Sequence, residues 1–155
     1  PVQVVVSGNV AAIDRAEAHW KEQSKRCSRL RTAGAFHSPL MEDAATRVGE
    51  FCKTLSFKQP MFPLICNTDA QPFVVDEAAD RLSSQVKSSV MFEQSIQALS
   101  TKGESQFIEV GFGGVLTNLV KRIDRKADRI KIGTYAEWKK EVPQLVSGVE
   151  ESNKE

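Results

Sequence analysis

Two spacings alternate along this chain, and that alternation restricts it to one fold class. Short β-branched or apolar runs at residues 3–7 (QVVVS), 62–66 and Gln106–Val110 (QFIEV) read as strands, with weaker candidates at 27–30 and 129–132. Between them apolar residues recur every three or four positions, as helices require. Val10, Ile13, Ala16 and Trp20 mark the first such stretch, with Asn9 placed as its N-cap. Met41, Ala44, Ala45, Val48, Phe51, Cys52 and Leu55 mark the second. Further helices are expected through Ala78, Leu82 and Val86, through Phe92, Ile96 and Leu99, through Leu116, Leu119, Val120 and Ile123, and from Tyr135 to about Val146. Strands alternating with helices predict an α/β fold with largely parallel pairing. Residues 149–155 read as a frayed polar tail. No internal repeat or linker divides the chain.

Composition narrows the function. The 155 residues carry 21 Lys+Arg against 20 Asp+Glu, a net charge of +1, with the two signs interspersed. That balance argues against nucleic acid as a partner. No apolar run is long enough to span a membrane, and the opening residues do not read as a secretory leader, so none is expected. Three cysteines without CxxC spacing and only two histidines argue against a metal site and for a reducing, cytoplasmic setting. The chain opens on Pro1 without an initiator Met, as an incomplete piece would.

His37 is the residue best suited to chemistry. It lies in a loop of small residues, 32–40 (TAGAFHSPL), just before the helix that Ser38-Pro39 helps to start. A histidine there can reach a cleft and act as a general base near neutral pH, although position alone favours a surface or capping residue. His19, beside Trp20, reads as structural. Cys66 is a second conceivable nucleophile, although its place at the end of an apolar run favours a buried, inert thiol. Gly111-Phe112-Gly113-Gly114 invites comparison with a phosphate cradle, yet it is neither GxGxxG nor a P-loop.

Gly34-Ala35-Phe36-His37-Ser38-Pro39-Leu40-Met41 resembles the histidine motif of malonyl-CoA:acyl carrier protein transacylases and of the acyltransferase domains of fatty-acid and polyketide synthases. The resemblance continues in family order from Pro1 to Ile123. Pro1 to Gly8 resembles the family's S-P-x-Q-V-V-I-S-G strand, Cys66-Asn67-Thr68-Asp69 its N-x-D turn, and Ser88 to Phe92 a further segment. Phe107 to Leu116 resembles its E-V-G-P-G-x-V-L signature, with Phe112 in place of the proline, and Lys121-Arg122-Ile123 closes it. Ser89 likewise stands where the family often has proline.

The resemblance implies a fold: the end of a ferredoxin-like small subdomain at 1–32, the C-terminal part of an α/β-hydrolase-like acyltransferase core at 33–148, and the tail at 149–155. It also implies a reaction, malonyl transfer from malonyl-CoA to the phosphopantetheine thiol of acyl carrier protein through an acyl-serine. His37 would be the base and the main-chain carbonyl of Gln85 its orienting partner. Phe36 would select malonyl over its methylated homologue, and Asn67 would contribute to the substrate site. Lys25, Arg26, Lys121 and Arg122 would meet the acidic carrier protein. No cofactor is implied beyond coenzyme A as acyl carrier. The Gly-x-Ser-x-Gly nucleophile elbow, the Gly-Gln-Gly motif and the family's carboxylate-binding arginine are absent from the 155 residues. The expectation is therefore the C-terminal half of a transacylase, with the missing N-terminal half as a further partner. The alternative is a non-catalytic half-domain that binds acyl carrier protein.

Overall fold

A computed structural model of the chain describes residues 3–152, with side chains through residue 145. Six α-helices and two strands follow one another as α1 (Val10–Glu22), α2 (Glu42–Lys53), α3 (Ala78–Lys87), α4 (Phe92–Thr101), β1 (Gln106–Val110), α5 (Val115–Ile123), β2 (Asp128–Ile132) and α6 (Tyr135–Ser152). The chain divides into two compact units, one comprising Gln3–Ser95 and the other beginning at Ile96, within α4. This cut falls inside a helix and differs from the boundary at residue 32 that the resemblance implies.

In the first unit, Asn9 caps α1 as expected, its side-chain oxygen accepting from the Ala11 amide at 3.0 Å. The far end closes as a Schellman turn: Ser24 takes a left-handed conformation, and the amides of Ser24 and Lys25 reach the carbonyls of Lys21 and Trp20, both at 2.9 Å. Two expected strands on either side of α1 do not form. Residues 3–8 are irregular, with Val5 65% exposed, and residues 27–30 are irregular as well. A β-branched run becomes a strand only where a neighbour supplies the other half of the ladder, and among the described residues neither run has one. Instead, Arg29 ties the returning segment to α1 through side-chain bonds to Glu17 and Asp14.

α2 buries Ala45, Gly49 and Cys52, a stripe at helical spacing, and packs against α3. Phe51 and Leu55, expected on that face, remain exposed. The approach of the two helices is close because Gly49 has no side chain: a β-carbon there would lie 3.1 Å from the Ser83 side chain. Ser83 uses the proximity to donate its hydroxyl to the Ala45 carbonyl at 2.7 Å. The strand expected at 62–66 reduces to a single antiparallel bridge, Ile65 to Pro72, with Met61 and Phe62 exposed. Pro60 and Pro63 withhold two amide donors from any longer ladder. The bridge closes a tight turn in which the amides of Cys66 and Phe73 reach the carbonyls of Gln71 and Leu64 at 2.8 and 2.7 Å.

In the second unit β1 and β2 pair in parallel, in register from Gln106 with Asp128 to Val110 with Ile132. α5 packs on both strands and α6 on β2. The parallel connection through a helix is the α/β arrangement expected from the sequence. α6 runs on to Ser152, beyond the expected end near Val146, so residues 149–152 are helical; the rest of the expected tail lies outside the described residues.

Candidate functional site

Two neighbouring residues, Ser38 and Pro39, aim His37. The residue before a proline is pushed toward extended backbone, and Ser38, before Pro39, has φ −137° and ψ 161°. Pro39 then opens a 3₁₀ turn, Pro39–Met41, that runs directly into α2. Between the loop and this stiff start His37 takes φ +62°, a left-handed conformation that costs a side-chain-bearing residue about 1–2 kcal/mol. Its amide offsets part of that cost by donating to the Val86 carbonyl at 3.0 Å. Ser38 is buried and donates its hydroxyl to the Ala35 carbonyl at 2.7 Å, closing the loop on itself.

The imidazole lies at the carbonyl end of α3. Its Nδ1 is 3.1 Å from the main-chain oxygen of Gln85 and 3.1 Å from that of Ser88. A carbonyl oxygen can only accept, so the shared proton belongs to Nδ1, and in the neutral ring Nε2 is left as the basic nitrogen. Gln85 thus meets His37 through its backbone, the contact implied by the resemblance, and Ser88 adds a second carbonyl that sequence reasoning missed. A main-chain acceptor leaves no signature in residue type; only the recognition that α3 stops at Lys87, with Ser88 as its C-cap, could have pointed to it. His37 is an exposed residue.

The remaining candidates lie at other points of the chain. Phe36 adjoins His37 and is 46% exposed, a ring presented beside the imidazole rather than sunk in a core. Asn67 is half-buried, and its carbonyl accepts from the Met91 amide at 2.6 Å, tying its turn to the segment after α3. Arg81 on α3 holds the same turn, donating to Asp69 and Glu77, each at 2.8 Å. Hydrogen bonding to Glu77 above all, and then to the Cys66 side chain and by attraction to Asp69, raises the Arg81 guanidinium above its ordinary pKa. Cys66 is half-buried rather than buried and lies against Arg81; among the described residues no hydrogen bond joins it to His37. Lys25 and Arg26 are exposed just beyond α1, and Lys121 and Arg122 are exposed in the last turn of α5. None of the four makes an ion pair among the described residues, so each is free to meet an outside partner.

The glycine-rich turn after β1 has another task. Gly111, Gly113 and Gly114 all have φ between +109° and +133°, where a β-carbon would be strained. The turn brings α5 back over Glu109, whose carboxylate accepts from the Leu116 amide at 3.3 Å and from the Thr117 amide at 2.8 Å, and also from the Thr117 hydroxyl. Two of the N-terminal amides of α5 that would have cradled a phosphate, those of Leu116 and Thr117, are satisfied from inside the chain. Glu109 is the structural residue of this signature, and the sequence reading passed over it.

No protein-family profile matches the chain. A malonyl CoA-acyl carrier protein transacylase of Bacillus subtilis (strain 168) is 38% identical over 136 residues, covering 85% of this chain and 42% of the relative. The polyketide biosynthesis malonyl CoA-acyl carrier protein transacylase PksC of the same organism is 35% identical over 130 residues, covering 83% and 45%. Among solved structures, the transacylase MCAT of Streptococcus pneumoniae superposes with a TM-score of 0.78 at 35% identity, over 93% of this chain and 45% of that one. A malonyl-transacylase solved in complex with a type II polyketide-synthase acyl-carrier protein superposes with a TM-score of 0.80 at 26% identity, over 84% and 43%. The chain thus spans less than half the length of these relatives, and over that span it is similar in sequence and in fold to malonyl CoA-acyl carrier protein transacylases.

Proposed function

We propose that this chain supplies the general base for malonyl transfer from malonyl-CoA to the phosphopantetheine thiol of acyl carrier protein, with the attacking serine on polypeptide outside these 155 residues. One observation carries the reading: His37 Nδ1 is committed to the carbonyls of Gln85 and Ser88, which leaves Nε2 of the neutral ring as the basic nitrogen of an exposed residue. As the serine oxygen attacks the thioester carbonyl, Nε2 takes its proton; as the intermediate collapses, the carbon–sulfur bond breaks and the proton goes to the departing coenzyme A thiolate. In the second half the carrier thiol gives its proton to Nε2 and attacks the acyl-serine, and the proton returns to the serine oxygen. The carbonyl partners hold the tautomer through both halves without adding a charge.

The names of the relatives support the substrate and the carrier protein, and Phe36 beside His37 supports malonyl over a methylated acyl group, a preference worth about 1–3 kcal/mol per methyl. Asn67 belongs to the same site in this reading, and Lys25, Arg26, Lys121 and Arg122 receive the acidic carrier. Coenzyme A serves only as acyl carrier, and no metal takes part. A cytoplasmic setting suits these substrates, and no helix among the described residues is long and apolar enough to cross a membrane. The absence of Gly-x-Ser-x-Gly from the chain favours a second reading, a half-domain that binds acyl carrier protein without turnover.

Assay with labelled malonyl-CoA and acyl carrier protein, in the enzyme complete with its serine-bearing segment, separates the two. His37→Ala should lower transfer by about 10²–10⁴-fold with the fold retained by circular dichroism. Transfer near the wild-type rate would exclude His37 as the base.

A further inference from the structure

We infer that Lys87 is a positioning residue for His37, acting through its ion pair with Glu42. The inference rests on the proposed role of His37 as base, and it concerns what holds the imidazole in its single tautomer. Both carbonyls that bind Nδ1 sit at one helix end: Gln85 in the last turn of α3 and Ser88 as its C-cap. Such ends fray, since their carbonyls lack partners within the helix. His37 itself belongs to the opposite element, two residues before the turn that opens α2. The imidazole therefore stays in place only if the end of α3 stays over the beginning of α2.

Lys87 and Glu42 join those two ends. The Lys87 ammonium donates to both carboxylate oxygens of Glu42, at 2.7 and 2.9 Å, across 45 positions of sequence. Lys87 is the last residue of α3 and Glu42 the first of α2, so each charge also sits at the helix end whose dipole favours it. Deeper along the same helix pair, Ser83 and Gly49 set how closely α2 and α3 approach. That contact lies a full turn back from Ser88; in the last turn of α3, the His37 amide holds the Val86 carbonyl at 3.0 Å, and Lys87 adds the tie to the start of α2. Both side chains of the pair are partly exposed, so the bond adds little to global stability. Its effect is local, on whether two carbonyls stay 3.1 Å from Nδ1.

The test uses the full chain, 15N-labelled at histidine, together with transfer assays in the complete enzyme. His19 is the other histidine, and a His19→Gln variant assigns the signals. In the wild type, the neutral ring of His37 should show one protonated and one bare nitrogen. Lys87→Met and Glu42→Gln should each turn this into the averaged pattern of mixed tautomers, lower kcat roughly tenfold and leave KM unchanged. Exchanging the charges in a Glu42→Lys/Lys87→Glu double variant should restore the single-tautomer spectrum and most of kcat, which a loss of folding could not do. An unchanged His37 spectrum in Lys87→Met would overturn the inference, whatever happens to kcat. Mixed tautomers with unchanged kcat would sustain the positioning of the ring and instead remove His37 from the reaction.

Discussion

His37 concentrates more structural consequence than any other side chain in the first unit. Its backbone is left-handed at φ +62°, its amide is bound to Val86, and its ring is bound to two further carbonyls. Strain of this kind persists where surrounding bonds over-determine it. The balance can be read from two variants that both delete the imidazole. Glycine accepts the left-handed conformation without a β-carbon penalty, so His37→Gly should unfold in urea at a higher midpoint than His37→Ala, by about 1 kcal/mol in stability. Equal midpoints, or a more stable alanine variant, would mean that the loop relaxes out of the left-handed region once the ring is gone. The motif around His37 was legible at this scale because its residue types are unusual together. The Ser88 carbonyl was not, since any residue at that position presents the same oxygen.

At the scale of elements, the second unit depends on how β1 and β2 hand over to their helices. Glu109 fastens the start of α5 to β1, and its carboxyl is held below the ordinary carboxylate range, first by the Thr117 hydroxyl and then by the Thr117, Leu116 and Gly114 amides. A depressed folded-state pKa adds stability that is fully present above the unfolded value and is lost as pH falls through the folded one. The wild-type Tm should therefore decline below about pH 4.5 more steeply than that of Glu109→Gln, which has no carboxyl to protonate; parallel curves would show that Glu109 does not carry the linkage. Gly133 marks the end of β2 in another way. A β-carbon there would lie 2.5 Å from the Gly111 backbone oxygen, and Gly111 is itself bound to β2 through its amide and the Ile132 carbonyl at 3.0 Å. Gly133→Ala must push two backbones apart, and chemical denaturation should register a loss of about 1–3 kcal/mol. Helices were legible here because their spacing repeats within one segment. The strands at 3–7, 27–30 and 62–66 were misjudged because a ladder needs a second segment, and propensity carries no record of whether one arrives.

Across the molecule, large apolar side chains remain in water where the strands end. Val110 is 81% exposed and Phe112 is 93% exposed, and both line an open apolar hollow with Ile132, Tyr135 and Trp138. Continuous apolar surface of this kind binds hydrophobic probes. The folded chain should enhance the fluorescence of ANS, and Phe112→Asp should reduce that enhancement without lowering the unfolding midpoint; undiminished dye binding would place the accessible apolar surface elsewhere. The chain spans less than half of its relatives' length, and two parallel strands make a smaller sheet than independent stability usually requires. By itself the sequence determined the α/β class, the positions of the six helices, the capping of α1, and the identity and order of the motifs that link it to the transacylases. These follow from residue types and spacings within single segments, where local sterics and burial periodicity act. Only the tertiary structure decided that 3–8 and 27–30 stay unpaired, that Glu109 fills the turn that might have held a phosphate, and that the end of α3 lies across His37. Those outcomes depend on which distant groups come within 3 or 4 Å of one another, and a backbone carbonyl that completes a site has the same chemistry in every residue that could supply it.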